Sequence, residues 1–348
     1  MREGRYQDYP RNSAEKSTMN SPEDGLIQRI ARATRPAKPQ GSLHLGLGDD
    51  AALWAPRAGF ETILTCDWFL EGSHFLRGAH PPDSVGWKCL ARAVSDVAAM
   101  GGEPKCFLLS LALPLSHTGR WLDRFLGGLR RAAQRFGCQL AGGDTTRRQQ
   151  ILINIMVVGE VRAGKAILRS GAEAGDLIFV SGRLGEAEFG LRSLLRGRTA
   201  NRRGGPSVKK HLYPEPRLAL GHWLAKMGIA AAMMDLSDGL SSDLPRLCAS
   251  SRVGALIDAG KIPSVDPAKG LHSRASAADR LALALNGGDD YELLFTVRPR
   301  KARQIPSRFQ GLPLTCIGKI TRKKAIQVVL ANGQKKNLLP GGWDPFRR

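Results

Sequence analysis

Aspartate recurs along this chain at the ends of apolar runs, beside glycine or another small residue. The positions are Asp49, Asp50, Asp67, Asp96, Asp144, Asp235, Asp238, Asp289 and Asp290. A carboxylate in such a setting tends to be partly buried, and a buried carboxylate must be paired or must bind a metal. Because hard cations such as Mg²⁺ prefer carboxylate oxygens, the set indicates several metal ions that hold phosphate groups. Any single aspartate among them could instead cap a helix or serve a turn.

The stretch at residues 45–54, LGLGDDAALW, also contains the pattern G-x-G-x-x-A, which can mark a dinucleotide-binding turn. That turn needs a helix to begin at the glycines, so that its first amides face the phosphates. Pro56 and Gly59 interrupt any such helix, and the carboxylates of Asp49 and Asp50 would repel a pyrophosphate. We therefore interpret the glycines as a tight turn that presents Asp50 to a metal. No Walker sequence G-x-x-x-x-G-K-[ST] occurs in the chain.

Helix-like and strand-like segments alternate along the chain. Helices are predicted at residues 21–32, 83–101, 119–137, 215–228 and 237–251, and strands at residues 61–69, 105–114, 138–144, 151–161, 291–297 and 315–320. The helix signals are a Ser21 cap followed by Pro22, and apolar residues at i+4 spacing. The strand signals are β-branched and aromatic residues. These patterns predict an α+β protein with domains at 21–162 and 163–348, behind a disordered extension at 1–20.

The net charge is +21, from 52 Lys and Arg against 31 Asp and Glu. An excess of this size raises nucleic acid, an acidic membrane surface or anionic small substrates as partners. The stretch 191–210 has seven basic residues and no acidic one, and we interpret it as a mobile, solvated basic loop. No basic run is interleaved with aromatic residues, so a stacking platform for single-stranded nucleic acid is not supported.

Several features predict a cytoplasmic protein that does not span a membrane. No run approaches the 18 apolar residues of a membrane span. The first 20 residues lack the apolar core of a secretory signal. The six cysteines are scattered without a C-x-x-C pair, which is typical of reduced thiols in a cytosolic protein.

Taken in order, the motifs of residues 21–346 resemble one known family, the thiamine-monophosphate kinases, which belong with the aminoimidazole-ribonucleotide synthetase-like ATP-binding proteins. The motifs are GLGDDAAL, TCDWFLEGSHF, SDVAAMGGEP, LAGGDTTR, RSGAEAGDLIFVSGRLGEAEFGL, MDLSDGLSSDL, GGDDYELLFT and the terminal GGWDPF. No single motif would be specific, but their number and order are.

The resemblance implies ATP-dependent phosphorylation of thiamine monophosphate to thiamine diphosphate by direct in-line transfer, the last step of that biosynthesis. It implies a homodimer whose N-terminal domains share a β-barrel, and a C-terminal α/β sandwich. It also implies ATP and several Mg²⁺ ions between the two domains. An ionised phosphate oxygen of the substrate would be the nucleophile, so no general base is required.

The resemblance also implies which residues form the site. The metal ligands would be Asp50, Thr65, Cys66, Asp67, Asp96, Asp144, Asp235 and Asp238. ATP would contact Gly143, Asp144, Arg169 and Ser237, with Arg169 as a charge clamp. The substrate would contact His74, Asp289 and Trp343. The catalytic set would be Asp50, Asp67, Asp96, Asp144 and Arg169.

Three positions depart from the pattern of the family. Cys66 stands where it usually has Thr or Ser, Ala93 where it has Asn, and Asp289 where it has Glu. Two relatives of the same superfamily are alternatives: selenophosphate synthetase, which relies on a reactive cysteine or selenocysteine near the N-terminus, and a hydrogenase maturation factor with a C-terminal cysteine. Here the first cysteine is Cys66 and the chain ends WDPFRR, which favours the kinase. A basic nucleic-acid-binding protein is the third alternative.

Overall fold

Two β-sheets, each covered by helices, organise the chain in the computed structural model, which describes residues 22–35, 42–47, 50–196, 205–265 and 276–347. The helices are α1 Pro22–Thr34, α2 Pro82–Ala99, α3 Arg120–Phe136, α4 Glu186–Leu195, α5 Pro206–Leu212, α6 Leu218–Met227, α7 Leu240–Ser251 and α8 Ala277–Asn286. The strands are β1 Leu43–Leu45, β2 Leu53–Trp54, β3 Phe60–Leu70, β4 Glu103–Leu113, β5 Gln139–Arg147, β6 Leu152–Arg162, β7 Leu177–Ser181, β8 Ala230–Leu236, β9 Gly254–Asp258, β10 Glu292–Val297, β11 Arg308–Phe309, β12 Leu312–Thr321, β13 Ile326–Val329 and β14 Lys335–Asn337.

The first sheet has four strands in the order β3-β6-β4-β5. β6 pairs antiparallel with both neighbours, and β4 pairs parallel with β5. Alternate residues of β6 (Ile153, Ile155 and Val157) are fully buried, as expected for a strand with one covered face. Helices α2 and α3 share their core with this sheet. Within the described residues the sheet is open, with β3 and β5 at its edges, and it forms no closed barrel.

The second sheet runs β14-β13-β9-β12-β7-β10-β8, with β11 added at β12. Both of its faces are covered, because successive residues of β7 point into different cores. Ile178 and Val180 pack in the core that contains α7, whereas Phe179 packs in the core that contains α6. Strands covered on both faces read as continuous apolar runs, which explains why LIFV in β7 and LLF in β10 do not alternate.

Helix α2 joins the two halves of the chain. Its last turn contributes Ala99 to the core shared by α6 and the second sheet. The contact between α2 and α6 is backbone-close, since a Cβ added at Gly221 of α6 would lie 2.0 Å from the carbonyl oxygen of Ala98. Most residues of α2 are buried, including the polar Ser84, Lys88 and Ser95.

The α+β class is confirmed, and all the predicted helices and strands are found with shifted ends. The prediction of a basic loop at 191–210 is wrong at both ends: α4 extends to Leu195 and α5 begins at Pro206. The two helices pack closely, because a Cβ at Gly190 would lie 2.0 Å from the carbonyl oxygen of Ser207.

Residues 197–204, the predicted extension at 1–20 and Asp49 lie outside the described residues. The domain boundary at 162–163 stays a prediction. Within the described part, no helix has the length and hydropathy needed to cross a membrane.

Adjacent glycines on α3 provide a test of the α2–α3 packing. A Cβ at Gly128 would lie 1.8 Å from the carbonyl oxygen of Asp83, whereas a Cβ at Gly127 meets nothing closer than 3.9 Å. We expect Gly128→Ala to lower the free energy of unfolding by about 3 kcal/mol, because backbone must move to admit the methyl group. Gly127→Ala is the matched control and should raise it by up to about 1 kcal/mol through helix propensity. Urea unfolding measures both, and equal effects would contradict the packing.

Candidate active site

A cavity of about 740 Å³ opens between the two halves. Its first-half wall includes Ser73, His74 and Arg92, and its second-half wall comes from α4, α8, the turn after β8 and the C-terminal segment. The three residues implied as substrate contacts, His74, Asp289 and Trp343, line this one cavity together with Ser237 and Asp238. The structure thus gathers residues that are up to 269 positions apart in the sequence.

Several carboxylates interact with one another beside the cavity, which Asp238 lines. The pKa of Asp67 is raised to about 6, mainly by burial and also by the charges of Asp96 and Asp238, against the opposing charge of Arg92. Burial also raises the pKa of Asp96, although Thr65 donates a hydrogen bond to its Oδ2. The predicted metal ligands Asp67, Asp96 and Asp238 therefore share one electrostatic environment.

Asp235, at the end of β8, belongs to the same group. Its pKa lies well above the usual range because the carboxyl is buried and faces the charge of Asp96. Ser95 donates a hydrogen bond of 2.7 Å to its Oδ2 across the junction of the two halves. The four acids come from β3, α2, β8 and the turn after β8, so the fold brings together what the sequence spreads over 172 positions.

Mg²⁺ fits the chemistry of this group, although the described residues hold no cluster of three or more His, Cys, Asp or Glu that could bind a metal by itself. Mg²⁺ is usually bound by one or two carboxylates together with substrate phosphates, so a complete protein cage is not required. The raised pKa values of Asp67 and Asp96 mean that the anionic forms are disfavoured without a cation. A cation with phosphate ligands would relieve that cost.

The register of β3 separates two of the predicted ligands. Thr65 and Asp67 lie on the half-buried face, towards α2, whereas the Cys66 side chain lies on the exposed face. The Cys66 thiol is 3.3 Å from Oδ1 of Asn154 on β6. Its sulfur therefore does not point to the acids, and the main chain is the part of Cys66 that remains available as a ligand.

The remaining predicted residues lie outside the cavity wall. Gly143 and Asp144 are exposed on β5, and Asp50 is exposed next to the undescribed pair Gly48 and Asp49. Arg169 is also exposed, but its charge lowers the pKa of Asp96 and so places the guanidinium near the acids. The structure brings Arg169 near Asp96 and does not place Asp50 or Asp144 on the cavity wall.

Asp289 is held by partners on two sides. Lys88 Nζ donates to its Oδ2 at 2.7 Å, and the Tyr291 hydroxyl donates to its Oδ1 at 2.8 Å. Burial would raise the pKa of this carboxyl, but the charges of Lys88 and Arg92 outweigh burial and lower it well below the usual range. Asp289 also has a left-handed backbone with φ of 65°, fixed by a hydrogen bond from its N–H to the Ser237 carbonyl. An ionised carboxylate is therefore fixed at the cavity wall.

The His74 ring is neutral and can donate a hydrogen bond. Its Nδ1 accepts a hydrogen bond of 3.0 Å from the Leu70 N–H, so the proton of the neutral ring is on Nε2. Burial lowers its pKa to about 4, and the charge of Arg92 adds to the effect. The Phe69 ring stacks on it with centroids 5.8 Å apart.

Trp343 closes the opposite side of the cavity from the C-terminal segment. Its backbone N–H donates to the Asp238 carbonyl at 2.9 Å, and the residue is 48% exposed. Gly342 fits against the same carbonyl, since a Cβ there would lie 2.0 Å from it. The indole is therefore anchored by its backbone and remains open to a ligand.

Four residues that surround Asp289 were not predicted from the sequence: Lys88, Arg92, His211 and Tyr291. One signal was available: Lys88, Arg92 and Asp96 follow one another at i+4 spacing on α2 and so form one stripe of the helix. The predicted apolar face of the same helix (Val85, Cys89, Ala93 and Val97) is confirmed as buried. The charged stripe beside it is a second face of the helix, which interacts with Asp289 and with Asp67.

Known proteins resemble this chain in both sequence and structure. The family model "AIR synthase related protein, N-terminal domain" matches residues 48–161, and "AIR synthase related protein, C-terminal domain" matches residues 173–331. The thiamine-monophosphate kinase of Haemophilus influenzae is 37% identical over 81% of this chain and 84% of its own length. The solved thiamine-monophosphate kinase of Stenotrophomonas maltophilia K279a is 36% identical with a TM-score of 0.77, over 89% of this chain and 96% of that one. The structure of AaThiL complexed with AMPPCP and TMP is 33% identical with a TM-score of 0.73, over 93% and 97%.

Proposed function

We propose that this chain transfers the γ-phosphoryl group of ATP to thiamine monophosphate. The premise is that the chain belongs to the AIR synthase related family as a thiamine-monophosphate kinase. The product is thiamine diphosphate. The observation that carries the proposal is the single cavity that joins His74, Asp289 and Trp343 to the turn that carries Asp238. The solved relative that binds AMPPCP and TMP supports both substrates.

The reaction needs positioning more than proton transfer. A phosphate oxygen of thiamine monophosphate attacks the γ-phosphorus, and the bond from that phosphorus to the β,γ-bridging oxygen breaks, with its electron pair leaving on ADP. The attacking oxygen is already ionised at neutral pH, so no general base takes part. The barrier lies in bringing two polyanions into line, which positive charge and fixed geometry lower.

The acids supply the metal side of the reaction. Asp67, Asp96, Asp235 and Asp238 would hold Mg²⁺, with Asp50, Thr65, Asp144 and the main chain of Cys66 as further ligands implied by the family. When bound, Mg²⁺ neutralises phosphate charge and aligns the phosphates. Arg169, close enough to lower the pKa of Asp96, acts as the charge clamp on ATP beside Gly143 and Ser237.

The cavity wall supplies the substrate side. The Nε2 proton of His74 is available to donate to the substrate. The fixed, ionised Asp289 pairs with the positive thiazolium ring of thiamine, and the open indole of Trp343 packs on an aromatic ring. Asp289 is one methylene shorter than glutamate, but Lys88 and Tyr291 fix its position.

The protein is proposed to act as a cytoplasmic homodimer in which two first-half sheets form a shared barrel. The outer face of β3 supports this arrangement because it presents Leu64 and Trp68, which are 63% and 56% exposed. All six cysteines are free, in agreement with a reducing compartment.

One assay tests the proposed function. Purified protein with ATP, Mg²⁺ and thiamine monophosphate should form thiamine diphosphate, measured by chromatography, and chelation of the metal should stop it. Folded protein that makes no product would refute the proposal. Binding to nucleic acid that weakens steeply with salt, without kinase turnover, would favour the basic-protein alternative instead.

A further inference from the structure

Arg92 enters the cavity from α2, between the metal side and the substrate side. Its positive charge lowers the pKa of Asp67 on the metal side and that of Asp289 on the substrate side. The negative charges of Asp289, Asp67 and Asp238 in turn raise the pKa of Arg92, against the effect of its burial. The guanidinium is therefore the positive group at the junction of the two sides.

Arg92 keeps one donor without a hydrogen-bond partner among the described residues. Its Nε is buried and has no hydrogen-bond partner. Its contact with Asp67 is an ion pair of 3.8 Å from Nη2 to Oδ1, which is too long for a hydrogen bond. The Phe69 ring, 5.7 Å from the guanidinium carbon, covers a face but accepts no N–H. A buried charged donor without an acceptor is costly, so the unpaired Nε–H points to a ligand oxygen.

The position and shape of the group select the ligand. Two neighbouring N–H groups of a guanidinium match two oxygens of a phosphate, and no other cationic side chain offers that geometry. Asp289 attracts the cationic ring of the substrate, and the acids around Asp67 attract the metal-bound phosphates of ATP. Arg92 lies between these two places, where the phosphate of thiamine monophosphate would be. Lys88 is not an alternative, since it is 1% exposed and already paired with Asp289.

We propose that Arg92 binds the phosphate of thiamine monophosphate through its Nε and Nη N–H groups and thereby selects thiamine monophosphate over thiamine. The proposal rests on the proposed function and adds the residue that reads the acceptor phosphate. A purely structural Arg92, which only balances the acids, would affect both ligands alike.

Calorimetric binding of thiamine monophosphate and of thiamine, each with Mg²⁺ and AMPPCP present, separates these roles. We expect Arg92→Gln to weaken thiamine monophosphate binding about 10- to 100-fold, the effect of losing hydrogen bonds to a charged group. Thiamine binding should stay within about 2-fold of the wild type, because thiamine has no phosphate. Arg92→Lys should fall between, since it keeps the charge and loses the paired donors.

Arg124→Gln is the matched control. Arg124 is an exposed arginine of α3, ion-paired with Asp83 at 3.2 Å and outside the cavity wall. Its substitution should change neither affinity. Equal weakening of both ligands in Arg92→Gln, or unchanged affinity for thiamine monophosphate, would overturn the role of Arg92 while leaving the kinase assignment intact. Wild-type protein that neither binds nor phosphorylates thiamine monophosphate would overturn both proposals.

Discussion

Asp67→Asn is expected to lower kcat/KM for thiamine diphosphate synthesis by about 100- to 1,000-fold, the effect of removing one preorganised electrostatic group from a reaction centre. The amide keeps the size of the side chain but cannot supply the charge that a metal ligand needs. Asp67 lies on the covered face of β3 and is coupled to Asp96 and Asp238, so its loss weakens the whole metal side. The measurement is steady-state kinetics at saturating Mg²⁺.

The same substitution should not destabilise the metal-free protein. The pKa of Asp67 is raised from 3.8 to about 6 in the folded state, mainly by burial. A raised folded pKa means that the stability contributed by the protonated group is lost as the pH rises through about 6. At pH 8 with a chelator, Asp67→Asn should therefore melt at or above the temperature of the wild type.

Glu61→Gln is the control for Asp67→Asn. Glu61 is exposed on the same strand, where its Oε2 accepts a hydrogen bond from the Gly164 N–H, and it should leave kcat/KM unchanged. Full activity in Asp67→Asn would remove Asp67 from the site. A large loss of melting temperature would show that the side chain is structural.

Lys88→Met is expected to lower the free energy of unfolding by about 3–5 kcal/mol, the usual result of removing one partner of a buried ion pair. Lys88 is 1% exposed, and its Nζ lies 2.7 Å from Oδ2 of Asp289 and 3.3 Å from Nδ1 of His211. Burial lowers the pKa of Lys88, while Asp289 raises it. Without the ammonium group, Asp289 keeps its charge in a site that no longer balances it.

A double-mutant cycle measures the Lys88–Asp289 interaction by urea unfolding. Asp289→Asn should lower the free energy of unfolding less in the Lys88→Met background than in the wild type. In that background the neutral amide replaces a carboxylate that has lost its ammonium partner. Lys226→Met, at an exposed position of α6, serves as the surface control and should change the unfolding free energy by less than about 0.5 kcal/mol. Additive effects at Lys88 and Asp289 would contradict the coupling.

The acids of the site can be recognised from local sequence patterns, whereas the basic residues that lie between them cannot. An aspartate at the end of an apolar run is visible in one segment, and Asp67, Asp96, Asp235 and Asp238 were found in this way. Lys88 and Arg92 were not predicted because α2 is buried on nearly all sides. The apolar periodicity of its sequence shows the face that packs in the core, but not the other faces that are also covered. The opposite faces of Asp67 and Cys66 follow from strand alternation, but the choice of the inner face depends on where α2 packs.

The predicted loop at 191–210 illustrates a second limit of the sequence. Its basic composition indicated solvent exposure, which is correct for Arg192 and Arg196. Exposure alone does not distinguish a loop from the outer face of a helix, and the contact of Gly190 with Ser207 depends on a tertiary approach that no local pattern records. Short helices that pack mainly on each other are therefore the elements most easily missed.

Helix α2 fixes the distance between the two ends of the proposed ligand site. Lys88, whose ammonium holds Asp289, and Asp96, whose carboxylate receives Thr65, are eight residues apart on one stripe. A rise of 1.5 Å per residue sets their separation along the axis at about 12 Å. Because the helix is clamped at both ends by glycine contacts with α3 and α6, this separation does not adjust to the ligand. Analogues with a longer or shorter link between ring and phosphate should therefore engage one end of the site at the expense of the other.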